Sequence, residues 1–254
     1  MVCRCNDLSY CDPYQRPAFL EQDGVFYFCN TGGLLPYPLF DLQNHLMIYK
    51  ASHNTLIYSF FRVYTRWKIK RNFHGVSVRG EFNDRDLPVL LISNHFSWWD
   101  GFWAEYLNMK VFRRKFYFMM LEEQLKKNMF LNKTGGYSVK KGTASVIESL
   151  NYTAELLSDK RNVVLMFPQG KFDSMHNHSL RFEKGAGYVL GKIQNRIHIV
   201  FVANFIEYFS ERKPGLITYF TEFPGDDFST PNLEWEYNTF FSACRAENIR
   251  LARS

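Results

Sequence analysis

Short apolar runs that alternate with stretches of helical periodicity constrain this chain more than any other feature. From residue 75 onward, Val76–Val78, Val89–Ser93, Phe116–Leu121, Tyr137–Val139, Val163–Phe167, Ile197–Ala203 and Leu216–Phe220 read as strands. Helical segments fall between and after them: about Trp99–Leu107, a short one after Leu121, Ala144–Leu157, Gly185–Ile193 and residues 233–250. In Ala144–Leu157, the residues Val146, Leu150, Ala154 and Leu157 share one face. Such alternation predicts an α/β fold, a largely parallel mixed sheet flanked by helices. Ligands of such sheets bind beyond the carboxyl ends of the strands. Chemistry is therefore sought in the residues directly after each strand.

The 254 residues suit one domain with a short extension. Residues 1–40, broken by Pro13, Pro17, Gly24, Gly32, Gly33, Pro36 and Pro38, read as an irregular N-terminal extension, and residues 41–254 as a single domain. Residues 41–71 read as an amphipathic helical segment, in two pieces. Leu46, Ile48, Leu56, Ile57, Phe60, Phe61, Val63, Tyr64, Trp67 and Ile69 supply its apolar side, and Arg62, Arg66, Lys68, Lys70 and Arg71 its basic end. Aromatic rings beside cations suit a membrane surface with anionic lipids. A core-packed helix with a solvated basic end gives the same pattern.

Lys and Arg exceed Asp and Glu, for a net charge of +6. That favours acidic partners without choosing among them. The first residues lack the basic-then-apolar pattern of a secretory signal, and no apolar run approaches the ~18 residues needed to span a bilayer. A peripheral location on the cytoplasmic face of a membrane is expected. Of the five cysteines, Cys3, Cys5, Cys11 and Cys29 lie near the start and Cys244 near the end. An odd count argues against a disulfide framework, and the spacing is not that of a zinc site.

The segment Asn94-His95-Phe96-Ser97-Trp98-Trp99-Asp100 follows directly on the run Val89–Ser93. A hydroxyl is a poor nucleophile at neutral pH. A neutral imidazole can take its proton during attack, provided one ring nitrogen is free and the other is held, for instance by a carboxylate. His95 at the strand end and Asp100 at the start of the next helix are placed to meet across the turn. This N-H-x-x-x-x-D pattern resembles the signature of the glycerolipid acyltransferase family.

Further blocks strengthen the resemblance over residues 75–205. Gly135-Gly136-Tyr137-Ser138-Val139-Lys140-Lys141 is similar to the family's glycine-led strand that ends in arginine, with Lys141 in the arginine's place. Lys141 keeps the charge but not the bidentate fork. Phe167-Pro168-Gln169-Gly170-Lys171-Phe172 resembles the family's F-P-E-G-T-R segment. There Gln169 replaces the glutamate, and Phe172 replaces an arginine often used on an acceptor phosphate. Phe182-Glu183-Lys184-Gly185-Ala186 resembles the F-K-x-G-A segment, and Ile199–Val202 the last core strand.

The resemblance implies an O-acyltransferase of phospholipid biosynthesis with no metal or redox cofactor. It would move a fatty acyl group from acyl-CoA or acyl carrier protein to the hydroxyl of a lysophospholipid such as 1-acylglycerol-3-phosphate. His95 would be the general base and Asp100 its orienting partner. Asn94, Ser97, Lys141, Gln169, Gly170 and Lys171 would contact substrate, and backbone N–H groups near Gly170 would hold the oxyanion. The loss of arginine at Phe172 opens an alternative acceptor without phosphate, such as an N-acylated amino acid. A non-catalytic lipid-binding protein on this fold is a third reading.

Other chemistry finds little support. No G-x-S-x-G elbow, P-loop, dinucleotide fingerprint or nucleic-acid motif is present. His176 and His178 sit in a polar loop without a further ligand cluster.

Overall fold

A computed structural model describes residues 19–22, 25–30, 33–37, 48–223 and 225–251. In the N-terminal region three strands pair antiparallel in sequence order: β1 (Phe19–Gln22), β2 (Val25–Asn30) and β3 (Gly33–Tyr37). The irregular extension expected over residues 1–40 is therefore a meander in its described stretches. The pairs Gln22↔Val25 and Asn30↔Gly33 leave two-residue connections, Asp23-Gly24 and Thr31-Gly32. Cys3, Cys5 and Cys11 lie outside the described residues.

Of the two-piece helical segment expected over 41–71, the described part is α1 (Thr55–Asn72), and residues 48–54 are not helical. The part over 41–47 lies outside the described residues. Asn54 sets the start: its side chain accepts from the N–H groups of Leu56 and Ile57, both at 3.1 Å. The single apolar side anticipated for this helix is two faces. Phe61, Thr65 and Ile69 are buried against the domain, whereas Leu56, Phe60, Val63 and Trp67 are exposed.

The main sheet has seven strands: β4 (Gly75–Arg79), β5 (Val89–Ser93), β6 (Lys115–Leu121), β7 (Gly136–Val139), β8 (Asn162–Met166), β9 (His198–Glu207) and β10 (Gly215–Glu222). Their spatial order is β4-β10-β9-β5-β8-β6-β7. Strands β5 to β9 are parallel; β10 turns back against β9, and β4 lies parallel to β10. Between them run α2 (Asp100–Lys110), α3 (Glu122–Lys127), α4 (Ser145–Leu156) and α5 (Gly185–Lys192), and α6 (Thr230–Leu251) ends the chain. The expected largely parallel mixed sheet flanked by helices is thus the observed one.

Alternation along the strands divides the core between the two sheet faces. Leu90, Ile92, Val164, Met166, Ile199 and Phe201 pack with α4, α5 and α6. Val89, Leu91, Val163, Leu165, Val200 and Val202 pack with α2. Each such fully buried side chain contributes about 1.5–3 kcal/mol. No helix among the described residues is long and apolar enough to cross a membrane.

Candidate active site

Register places the motifs beside one another before any side chain is considered. Strands β5 and β8 are parallel neighbours, with Ile92 opposite Met166. His95 and Gln169 each follow by three residues, so they leave the sheet at the same height. The backbone N–H of His95 donates to Gln169 Oε1 at 2.7 Å. Gln169 is buried, and its neutral amide supplies the acceptor.

The imidazole and the carboxylate meet as expected. His95 Nδ1 lies 2.7 Å from Asp100 Oδ2. The same oxygen accepts from the N–H groups of Phe96 at 2.8 Å and Ser97 at 2.9 Å. Three donors on one oxygen hold the carboxylate in a single orientation. With Nδ1–H donating to the carboxylate, Nε2 is the basic nitrogen. Asp100 is fully buried as the first residue of α2. Burial pushes its carboxyl up, against the downward pull of the bonds from His95, Ser97 and Phe96.

The loop after β8 grips His95 from both faces. The imidazole stacks on Phe167, with ring centroids 3.9 Å apart, and on Phe172, 4.1 Å apart. The N–H of Asp173 donates to the His95 carbonyl at 2.9 Å. This clamp escaped the sequence reading, which noted Phe172 only as a departure from arginine. No spacing rule signals that an aromatic five residues beyond Phe167 folds back onto the same ring.

The remaining expected residues divide. Lys141, two residues beyond β7, donates from Nζ to the Gly170 carbonyl. Gly170 has φ +62°, a left-handed conformation that favours glycine, and a Cβ there would lie 3.2 Å from Glu183 Cγ. Its N–H donates to the Phe167 carbonyl at 3.1 Å, so the turn uses it. The N–H groups of Lys171 and Phe172 make no hydrogen bond among the described residues. The Lys171 side chain is exposed.

Two of the expected contact residues hold the site together. Ser97 reaches Asp100 through its backbone, and its Oγ accepts from Trp99 N–H at 3.1 Å. The Asn94 amide is turned into the core, where it donates to the Asn204 carbonyl at 3.0 Å and accepts from the Asn204 N–H at 2.9 Å. Asn94 therefore ties the end of β5 to β9. Its partner Asn204 was missed, although a lone amide inside the apolar run from Ile199 to Ile206 is a visible signal. Asn204 is buried and bonds also to Ser93 Oγ and Thr218 Oγ1.

His176 and His178 are exposed, and no cluster of three or more metal-binding side chains occurs among the described residues. The one cysteine whose side chain is described, Cys244, is buried and free in α6.

Residues 75–203, half of the chain, match the model of the family described as Acyltransferase. The chain belongs to this family, the glycerolipid acyltransferases, and is an acyltransferase. No curated protein matches it.

Proposed function

We propose that the chain transfers a fatty acyl group from a thioester, acyl-CoA or acyl carrier protein, to the hydroxyl of a lysophospholipid such as 1-acylglycerol-3-phosphate. The observation that carries this reading is the 2.7 Å His95–Asp100 bond, which makes Nε2 the basic nitrogen of a half-buried ring. In the step, Nε2 takes the proton of the acceptor hydroxyl as its oxygen bonds to the thioester carbonyl carbon. The carbonyl becomes an oxyanion, for which the N–H groups of Lys171 and Phe172 are the available donors. The C–S bond then breaks, and the thiolate leaves with the proton held on His95. Asp100 orients the ring and offsets its transient positive charge.

Lys141, whose Nζ donates to the Gly170 carbonyl, would supply a cation for an acceptor phosphate. A second reading rests on Phe172. Its ring is 60% exposed where an arginine would face the phosphate, and exposed Trp98 and Met175 come from the same two loops. Those surfaces suit an acceptor with more apolar surface and no phosphate, such as an N-acylated amino acid.

Membrane attachment belongs to the same proposal. The outward ridge of α1 is aromatic and apolar: Phe60 stacks on Tyr64, and Tyr64 packs on Trp67. Lys68 and Arg71 lie over the Trp67 ring at 5.9 and 5.5 Å. Tyr64 continues through Phe102 to Trp98 in the catalytic loop. An exposed patch of this kind suits a bilayer surface, with α1 lying on the cytoplasmic face.

Acyl transfer from long-chain acyl-CoA and acyl carrier protein to lysophospholipids and acylated amino acids, run beside His95→Ala, tests the reading. Product that His95→Ala abolishes supports it, and the preferred acceptor decides between the two readings. A folded wild type with no product on any acceptor would point to lipid binding without catalysis.

A further inference from the structure

A groove of about 540 Å³ runs between the C-terminal halves of α1 and α2 and along the start of edge strand β4. It shares no residue with the His95 site. Its floor includes the buried rings and chains of Phe73, Ile69 and Met109. Its charged lining is of one sign: Arg66 and Lys70 from α1, Lys110 from the end of α2, and Arg113 just beyond. No acidic side chain lines it, and none of these four cations makes an ion pair among the described residues.

Cations at helix C-termini are common because they face the negative end of the dipole. That explains Lys70 and Lys110, which lie in the last turns of α1 and α2. Arg66 lies more than a turn before the end of α1, and its charge pulls down on the buried Glu105 carboxyl, which does not line the groove. Arg113 closes that end of α2, its N–H donating to the Asn108 carbonyl at 2.7 Å with φ 56°, and it lies between this groove and a neighbouring pocket lined by Asp84, Asp86 and Asp159. Four like charges around one cavity repel each other, and a bound anion relieves that repulsion.

The same helix indicates where the anion comes from. At ~100° per residue, Lys70 and Arg66 follow directly round α1 from the exposed ridge of Phe60, Val63 and Trp67. They lie between that ridge and the buried face of Phe61, Thr65 and Ile69. An outward apolar stripe flanked by cations is the arrangement of a helix lying in a bilayer interface, with its cations at headgroup depth.

We propose that this groove is a second anion site, which holds the phosphate of an anionic phospholipid in the bilayer on which α1 lies. The proposal rests on the surface-helix reading of α1 and is separate from the acyl-transfer site. The apolar floor takes the parts of the lipid next to the phosphate, and the four cations share its charge. The site would anchor the enzyme on anionic membrane without using His95.

Flotation of the full chain with vesicles of phosphatidylcholine alone, or of phosphatidylcholine with phosphatidic acid, tests it. Wild type is compared with Lys70→Gln/Lys110→Gln and with Lys192→Gln/Arg196→Gln, an exposed pair outside the groove with the same change in charge. The groove pair is expected to lose about thirtyfold in binding to phosphatidic acid vesicles, two cations at about 1 kcal/mol each. The outside pair is expected to lose roughly threefold or less, since it lacks the site.

Equal losses in the two pairs would overturn the proposal and leave general electrostatics. So would an unchanged groove pair, or vesicle binding unaffected while inorganic phosphate alone stabilises wild type and not the groove pair. The last result would assign the groove to free phosphate. The exposed-ridge variant Phe60→Ser/Trp67→Ser separates the two levels. If it binds vesicles normally, the surface-helix reading fails; if it fails to bind while the groove pair binds normally, only the anion site is lost.

Discussion

Replacing Asp100 by Asn isolates what its charge does, because the surroundings fix which way the amide must lie. The backbone N–H groups of Phe96 and Ser97 both point at the Oδ2 position. An amide NH2 placed there would face two donors, so the asparagine oxygen takes that place. It still accepts from His95 Nδ1–H, and the imidazole keeps its tautomer. What is lost is the carboxylate charge opposite the imidazolium that forms as the acceptor hydroxyl gives up its proton. At an effective dielectric of about 20 and a separation of about 4 Å, that is about 4 kcal/mol, or about a thousandfold in rate. A change of tautomer would cost more, about ten thousandfold.

Folding responds differently to Asp100→Asn. Asp100 Oδ1 is buried without a hydrogen-bond partner, so the new NH2 is orphaned at about 1–3 kcal/mol. Removing a carboxyl whose pKa burial has raised offsets part of that. The net change in stability is expected to stay within about 2 kcal/mol. Acyl-transfer rates at saturating substrate, measured beside urea unfolding, give both numbers. A folded Asp100→Asn enzyme within tenfold of wild type would refute imidazolium stabilisation by this carboxylate.

Four further outcomes test other parts of the structure. Gln169→Leu should orphan the buried His95 N–H and cost about 1–3 kcal/mol in unfolding experiments, whereas Gln169→Glu should keep the acceptor and most of the activity. Phe172→Ala should lower kcat about fivefold, because one of two faces that stabilise the imidazolium by about 1 kcal/mol is removed; an unchanged kcat would show that the stacking is idle. Stability against pH should expose two opposed groups. Burial lowers His53 to about 4, so its contribution is lost as pH falls from 6.5 towards 4. Burial raises Glu105 to about 7, so its contribution is lost as pH rises from 4.5 towards 7. Glu105→Gln should remove the second slope, leaving stability that rises with pH between about 4.5 and 6.5; a slope that does not change would rule out Glu105 as its source. Finally, Phe60→Ser/Trp67→Ser should lower vesicle binding with little change in Tm, whereas Phe61→Ser should lower Tm, because Phe61 is buried against Phe102.

Strands and helices from residue 75 onward were legible because each element carries its own local signal. Val89–Ser93 is observed with the bounds its apolar run predicts, and His95 and Asp100 meet because a tight turn sets their geometry. Features that depend on two distant segments were not legible. The Phe172–His95 stack and the Asn94–Asn204 pair join loops and strands that only the sheet order brings together. The division of α1 into a buried and an exposed apolar face had the same cause. Periodicity shows that Phe60 and Phe61 are both apolar, but only the position of α2 decides which one is covered.

The two departures from the family's third block offset each other in charge. Family sequences carry a glutamate and an arginine where this chain has Gln169 and Phe172. Losing both is neutral in itself, and Lys171 in place of the family's threonine leaves the segment one charge more positive. Gln169 keeps the hydrogen bond to His95 N–H that positions the ring, and Phe172 covers that ring with an apolar face. The His95–Asp100 pair is thus held by an amide and two aromatic rings where the family sequences carry charged side chains. In the proposed function a cation for an acceptor phosphate would come from Lys141, held across β6 at the Gly170 carbonyl, or from the exposed Lys171. Use of Lys141 in that role would require it to exchange that carbonyl for the substrate phosphate.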